Sequence, residues 1–143
     1  MKKSLNLFQL GDFKLHSGKK SQWKIDCDAL TEKDYETLAW IVGEEWKMMF
    51  RIVYGIPTGG LKFVKALDLY KKEDSNVVLI VDDVLTTGRS MEEKKTEIEL
   101  FYQHNENITT IVGVVIFARG KCPKWVRPIF QMNNRTNIKN ENK

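Results

Sequence analysis

The chain has 143 residues, 42% of them apolar, and a formal net charge of +4. That is enough apolar material for one domain with its own core, and no stretch approaches the roughly 20 consecutive apolar residues that span a bilayer. The basic excess is scattered as Lys2-Lys3, Lys19-Lys20, Lys71-Lys72 and Lys94-Lys95 without interleaved aromatics, which describes solvated faces and argues against a nucleic-acid surface.

Residues 31–49 are predicted to form a helix. Thr31 and Asp34 have the spacing of a cap, and Tyr35, Leu38, Ala39, Val42, Trp46 and Met49 share one face. A strand at 50–54 then breaks into a Gly/Pro loop, Gly55-Ile56-Pro57-Thr58-Gly59-Gly60. A helical run at 60–70 follows, with Leu61, Val64 and Leu67 on one face. Strand, glycine loop and helix in that order present backbone N–H groups to an anion.

Val77 to Val81 is a run of apolar residues that reads as a strand buried on both faces, and Asp82-Asp83 falls where it emerges. The loop Val84-Leu85-Thr86-Thr87-Gly88-Arg89-Ser90 offers two threonine hydroxyls and a glycine for close backbone approach. Ser90 and Glu93 have capping-box spacing, so a helix is predicted at 90–104 with Met91, Ile98, Phe101 and Tyr102 apolar. A strand at 108–118 continues the alternation, and residues 132–143, rich in Asn and Lys, are expected to be a polar tail. Strands alternating with helices imply an α/β fold with a doubly wound, mostly parallel sheet and a ligand site at the strand C-terminal ends. Cys27 and Cys122 form no CxxC pair, and no signal peptide is evident, so a reduced, cytoplasmic protein is expected.

Two adjacent carboxylates beside a phosphate cradle suit a ligand that carries both a phosphate and vicinal hydroxyls, since ionised Asp only accepts hydrogen bonds or binds a cation. A phosphorylated ribose satisfies both. At this point the segment from Val78 to Ser90 resembles the phosphoribosyl pyrophosphate signature of the type I phosphoribosyltransferases. Phe13, Leu15, Ser17, Gly18, Ser21 and Asp26 are similar to the opening pattern FxLxSGxxSxxYxD of the orotate members.

The resemblance implies one domain over 1–131 with residues 1–30 forming a small hood, and a reaction that joins a nucleobase, orotate-like by preference, to phosphoribosyl pyrophosphate. Asp82 and Asp83 would be the catalytic pair at the ribose hydroxyls, directly or through magnesium. Thr86, Thr87, Gly88, Arg89 and Ser90, entered through Val84 and Leu85, would hold the 5-phosphate. Tyr54, Gly55, Ile56, Pro57, Thr58, Gly59 and Gly60 would hold pyrophosphate. His16 stands where the orotate enzymes carry a lysine, and Lys24 with Ile25 takes the place of their later base-facing pair. A second similarity, to purine-salvage enzymes, gives Arg119 and the Trp125-Val126 pair base-binding roles. The family also implies a homodimer.

Residues 61–76 are too few for the strand and long catalytic loop that the family carries there, and nothing among them resembles its lysine motif. Arg51, Arg119 and Lys121 are the cations that remain as substitutes. The loss leaves two further readings: a lid supplied by a second subunit, or a regulatory protein that binds the same substrate without turning it over.

Overall fold

The computed structural model describes residues 5–132. Strands β1 (Phe8–Lys14) and β2 (Lys20–Ile25) pair antiparallel as a separate hairpin. Strands β3 (Ile52–Gly55), β4 (Val77–Leu85), β5 (Thr110–Ala118) and β6 (Val126–Gln131) form a fully parallel sheet in sequence order. The alternation predicted an α/β fold with a parallel sheet, and that is the architecture.

Each face of the sheet carries its own core. Leu79, Val81, Val114 and Ile116 meet helices α1 (Glu32–Trp40) and α2 (Leu61–Leu67) through Leu38, Ala39, Phe63 and Leu67. Val78, Ile80 and Val115, alternate residues of the same strands, meet Met91 and Ile98 of α3 (Arg89–Tyr102). A strand buried on both faces must be apolar at every position, which is why Val77 to Val81 has no polar interruption.

The connections through α2 and α3 step across the sheet in the same direction on opposite faces, so the two crossovers have opposite hands. From β5 to β6 the chain passes on the α3 face, where Cys122 and Trp125 pack. The α2 crossover is therefore the odd one. About 98% of such connections are right-handed.

Several boundaries differ from expectation. Thr31 caps α1 as predicted, in a full capping box with Asp34, but the α-helix ends at Trp40 and passes into a π turn, Ile41–Glu45. Gly43 there lies so close to the Tyr70 ring that a Cβ would overlap it. Met49 is consequently half exposed, and the buried large residue is Phe50. In α2, Phe63 and Leu67 are buried while Leu61 is exposed. Met132, expected in the tail, donates its N–H to the Ala118 carbonyl and packs on the core. The rest of the expected tail, 133–143, lies outside the described residues. Among the described residues no helix is long and apolar enough to cross a membrane.

Candidate functional site

Strand β3 ends at Gly55, which lies opposite Val81 of the parallel strand β4. Beyond that point β4 continues through the acidic pair, with Asp82 opposite Val115 and Val84 opposite Phe117. The acids therefore lie inside the strand rather than past its end. Asp82 is buried, and its Oδ1 accepts the Asp83 N–H at 2.8 Å; Asp83 Oδ1 accepts the Val84 N–H at 2.7 Å. Burial, then the hydrogen bond and charge of Asp83, push the Asp82 carboxyl well above the usual carboxylate range.

The glycine loop is fitted to that pair. A Cβ on Gly59 would overlap the Asp83 carboxylate, and one on Gly60 would lie 2.6 Å from the Val81 carbonyl. The glycine loop thus touches the acid pair through Gly59 and Asp83. Fewer donors are free than expected, however. Tyr54 and Gly55 belong to the β3 ladder, Ile56 donates to the Val81 carbonyl and Gly60 to that of Ile56, and proline has no N–H. The Leu61 N–H turns back to the Thr58 carbonyl. Among the described residues the N–H groups of Thr58 and Gly59 have no hydrogen-bond partner. The Tyr54 side chain faces α3, where its hydroxyl lies 2.6 Å from that of Tyr102. Burial, helped by that hydrogen bond, pushes the Tyr54 phenol up to about 12.

After Leu85, Thr86 and Thr87 lead to Gly88, buried and left-handed at φ 84°, from which α3 departs. The helix begins at Arg89, so Ser90 sits inside its first turn and the predicted Ser90–Glu93 capping box does not form. Glu93 takes the exposed Arg89 guanidinium instead, at 3.0 Å, and the Thr87 hydroxyl accepts the Arg89 N–H. Arg89 thus lends the loop its backbone rather than its charge. Gly120, in the chain leaving β5, packs directly on the Thr86 carbonyl.

No protein-family model matches the sequence, and no curated protein matches it. The solved structures do. Orotate phosphoribosyltransferase of Aeropyrum pernix superposes with a TM-score of 0.65 at 22% identity, over 95% of this chain and 93% of that one. The Francisella tularensis orotate phosphoribosyltransferase gives 0.58 at 18%, over 93% and 89%. A phosphoribosyltransferase of Corynebacterium diphtheriae gives 0.61 at 13%, over 78% and 84%. The chain has the phosphoribosyltransferase fold.

Within the phosphoribosyltransferase fold the residues expected at the base scatter. His16 is exposed in the turn between β1 and β2, where Gly18, at φ 87°, donates its N–H to the Leu15 carbonyl. Lys24 stays within the hairpin, its Nζ 4.9 Å from the Phe13 ring centre. Trp125 lies on the α3 face, donating its indole N–H to Glu92 at 2.7 Å, with Lys95 over its ring and Gly113 beneath it. Trp125 packs against the core on that face, and Val126 is buried beside it. Arg119 reaches the hairpin, donating to the Trp23 carbonyl at 3.0 Å and Ser21 Oγ at 2.7 Å. Arg51 immediately precedes β3 at the opposite end of the sheet, its N–H on the Val77 carbonyl, far from the strand ends where a lid cation would act.

Cys27 escaped the sequence reading. It follows the hairpin, is buried, and faces the acid pair. Burial, then the Asp83 and Asp26 carboxylates, push its thiol up, so it remains protonated. Nothing in a lone cysteine signals this; only the fold brings it to residues so distant in sequence.

Proposed function

We propose that the chain binds phosphoribosyl pyrophosphate with magnesium at the ends of β3 and β4 and transfers the phosphoribosyl group to a nucleobase, releasing pyrophosphate. The observation that carries this reading is the contact of Asp83 with Gly59. It sets an acceptor pair for ribose hydroxyls against a loop with free N–H donors, one strand away from the Thr86–Gly88 turn and the start of α3. The 5-phosphate is held at that turn by the threonine hydroxyls and the N–H groups of the first helical turn, where the helix dipole favours an anion. Pyrophosphate lies against Thr58 and Gly59. Fixing both ends of the ligand orients the ribose C1 toward the hairpin side, where a base would approach, and orientation alone accounts for a large part of such a barrier.

Among the described residues no three His, Cys, Asp or Glu side chains converge as a metal cage. Two carboxylates suit magnesium nonetheless, because this ion keeps several waters and is bound by one or two protein carboxylates together with substrate phosphates. When bound, it supplies positive charge for the departing diphosphate. Asp82 and Asp83 are the residues that would hold it, through water or ribose oxygens.

A pyrimidine of the orotate kind is the favoured base, on the similarity of residues 13–26. The purine reading loses its support with Trp125 packed against α3. A second reading keeps one observation in its favour. Only the 3-10 turn Asp68–Tyr70 and a short link separate α2 from β4, and without a closing loop the same cleft would serve a sensor that binds but does not turn over.

The purified protein with magnesium and phosphoribosyl pyrophosphate, offered orotate, uracil, adenine, hypoxanthine, guanine and xanthine in turn, tests both. Nucleotide and pyrophosphate formed with one base is the expected outcome. Calorimetric binding without turnover on any base would select the sensor, and no binding would overturn the site.

A further inference from the structure

The β1–β2 hairpin shares no hydrogen-bonded ladder with the main sheet. It rests on the core through Leu7 and Ile25, and through Phe8, whose ring meets Phe117 edge-on at 6.0 Å. Its middle is gripped by one side chain of the sheet. The Arg119 backbone N–H is bonded to the Leu85 carbonyl at the end of β4, which fixes the root of the side chain beside the Thr86–Gly88 turn. From there the guanidinium donates to two hairpin acceptors at once and lies 3.7 Å from the centre of the Trp23 ring. Ser21 completes the grip, since its hydroxyl donates to the same Trp23 carbonyl at 2.6 Å while accepting from Arg119. Where the hairpin ends, Cys27 faces Asp83. The hairpin therefore runs along the cleft from the acid pair to the phosphate turn.

A fork of two charge-assisted bonds plus a stacked ring is a grip that only arginine makes. We propose that Arg119 is a positioning residue that latches the β1–β2 hairpin along the strand ends, making the hairpin the water-excluding cover that the short link from α2 to β4 does not provide. The latch stands on the contacts alone; its part in the chemistry rests on the cleft being a phosphoribosyl pyrophosphate site. With the cover loosened, water competes with the base at C1. The C1–O bond to pyrophosphate breaks, a bond to the water oxygen forms, a proton is lost to solvent, and ribose 5-phosphate replaces the nucleotide.

Hydrogen exchange on the ligand-free full chain reads the latch without reference to any substrate. In Arg119→Ala, amides of β1 and β2 are expected to exchange about tenfold faster or more, with β4 unchanged. Arg119→Lys should resemble Arg119→Ala more than the parent. Ser21→Ala, which removes one acceptor at a half-buried site, should give a smaller increase, and it decides the matter if Arg119→Ala does not fold. Hairpin exchange within twofold of the parent in the folded variants would overturn the latch. With magnesium, phosphoribosyl pyrophosphate and the accepted base, the ratio of ribose 5-phosphate to nucleotide should rise about tenfold in Arg119→Ala; an unchanged ratio in a variant with a loosened hairpin would overturn the covering role. Failure of the parent to bind phosphoribosyl pyrophosphate would remove the substrate reading and leave the exchange result to decide the latch.

Discussion

Asp82 and Asp83 are neighbours in one strand, yet the fold treats them differently. Asp82 is buried and keeps its proton far above the ordinary carboxylate range, while Asp83 accepts from its surroundings. Below the ordinary range both folded and unfolded chains hold the Asp82 proton. As pH rises, the unfolded chain loses it first, so this residue's contribution to stability is lost up to the raised folded value. The melting temperature of the parent should therefore fall from acid to neutral pH relative to Asp82→Asn, whose amide can still donate to Asp83. Engagement of the pair by a cation needs the proton to leave. Magnesium–phosphoribosyl pyrophosphate binding should tighten as pH rises and release protons, which calorimetry in buffers of different ionisation enthalpy will detect; binding that weakens with rising pH would contradict the assignment. Replacing both acids by Asn should abolish binding with the fold intact. Gly59→Ala places a methyl group on the Asp83 carboxylate. It should cost about 1–3 kcal/mol in stability and weaken binding, as thermal melts and titrations will show.

Elements were legible in the sequence where one local signal dictated them. The Val77–Val81 run reports burial on both faces, and Thr31 with Asp34 forms the cap its spacing implies. Boundaries set by distant partners were not legible. Tyr70 closes on Gly43 where α1 gives way to its π turn, and Glu92 captures the Trp125 indole across the chain. The α3 start was misread for a local reason: Gly88 adopts the left-handed conformation and launches the helix ahead of Ser90. A Cβ there would meet Pro123 at 3.6 Å and Leu85 at 3.8 Å, both ordinary contacts, so Gly88→Ala tests backbone conformation rather than space. It should cost about 1–2 kcal/mol, read as a lower denaturation midpoint at constant slope. Trp125→Phe deletes one hydrogen bond, worth about 1 kcal/mol, and should leave any base preference unchanged. A changed preference would return Trp125 to the site.

At the scale of the molecule, the glycine loop and the acid pair meet because parallel strands deliver all their C-terminal ends to one edge. The acid pair, both loops and the phosphoribosyl signature were readable because each is continuous in sequence. The roles of Arg119, Trp23 and Cys27 were not, since each arises from a contact between the hairpin and the sheet. The odd hand of the α2 crossover has its own consequence. The link Lys71–Asn76 runs over the surface and carries mostly exposed side chains, beside a β3 whose outer edge pairs with no other strand among the described residues. Closing a longer loop costs only about 0.6 kcal/mol for each doubling of its length. A flexible Gly/Ser insert that quadruples this link should therefore lower stability by about 1 kcal/mol, measurable by denaturant titration. The chain is thus thermodynamically open to receiving a lid beside an edge where an added strand could extend the sheet, and the barrier to such a graft is conformational design rather than chain entropy.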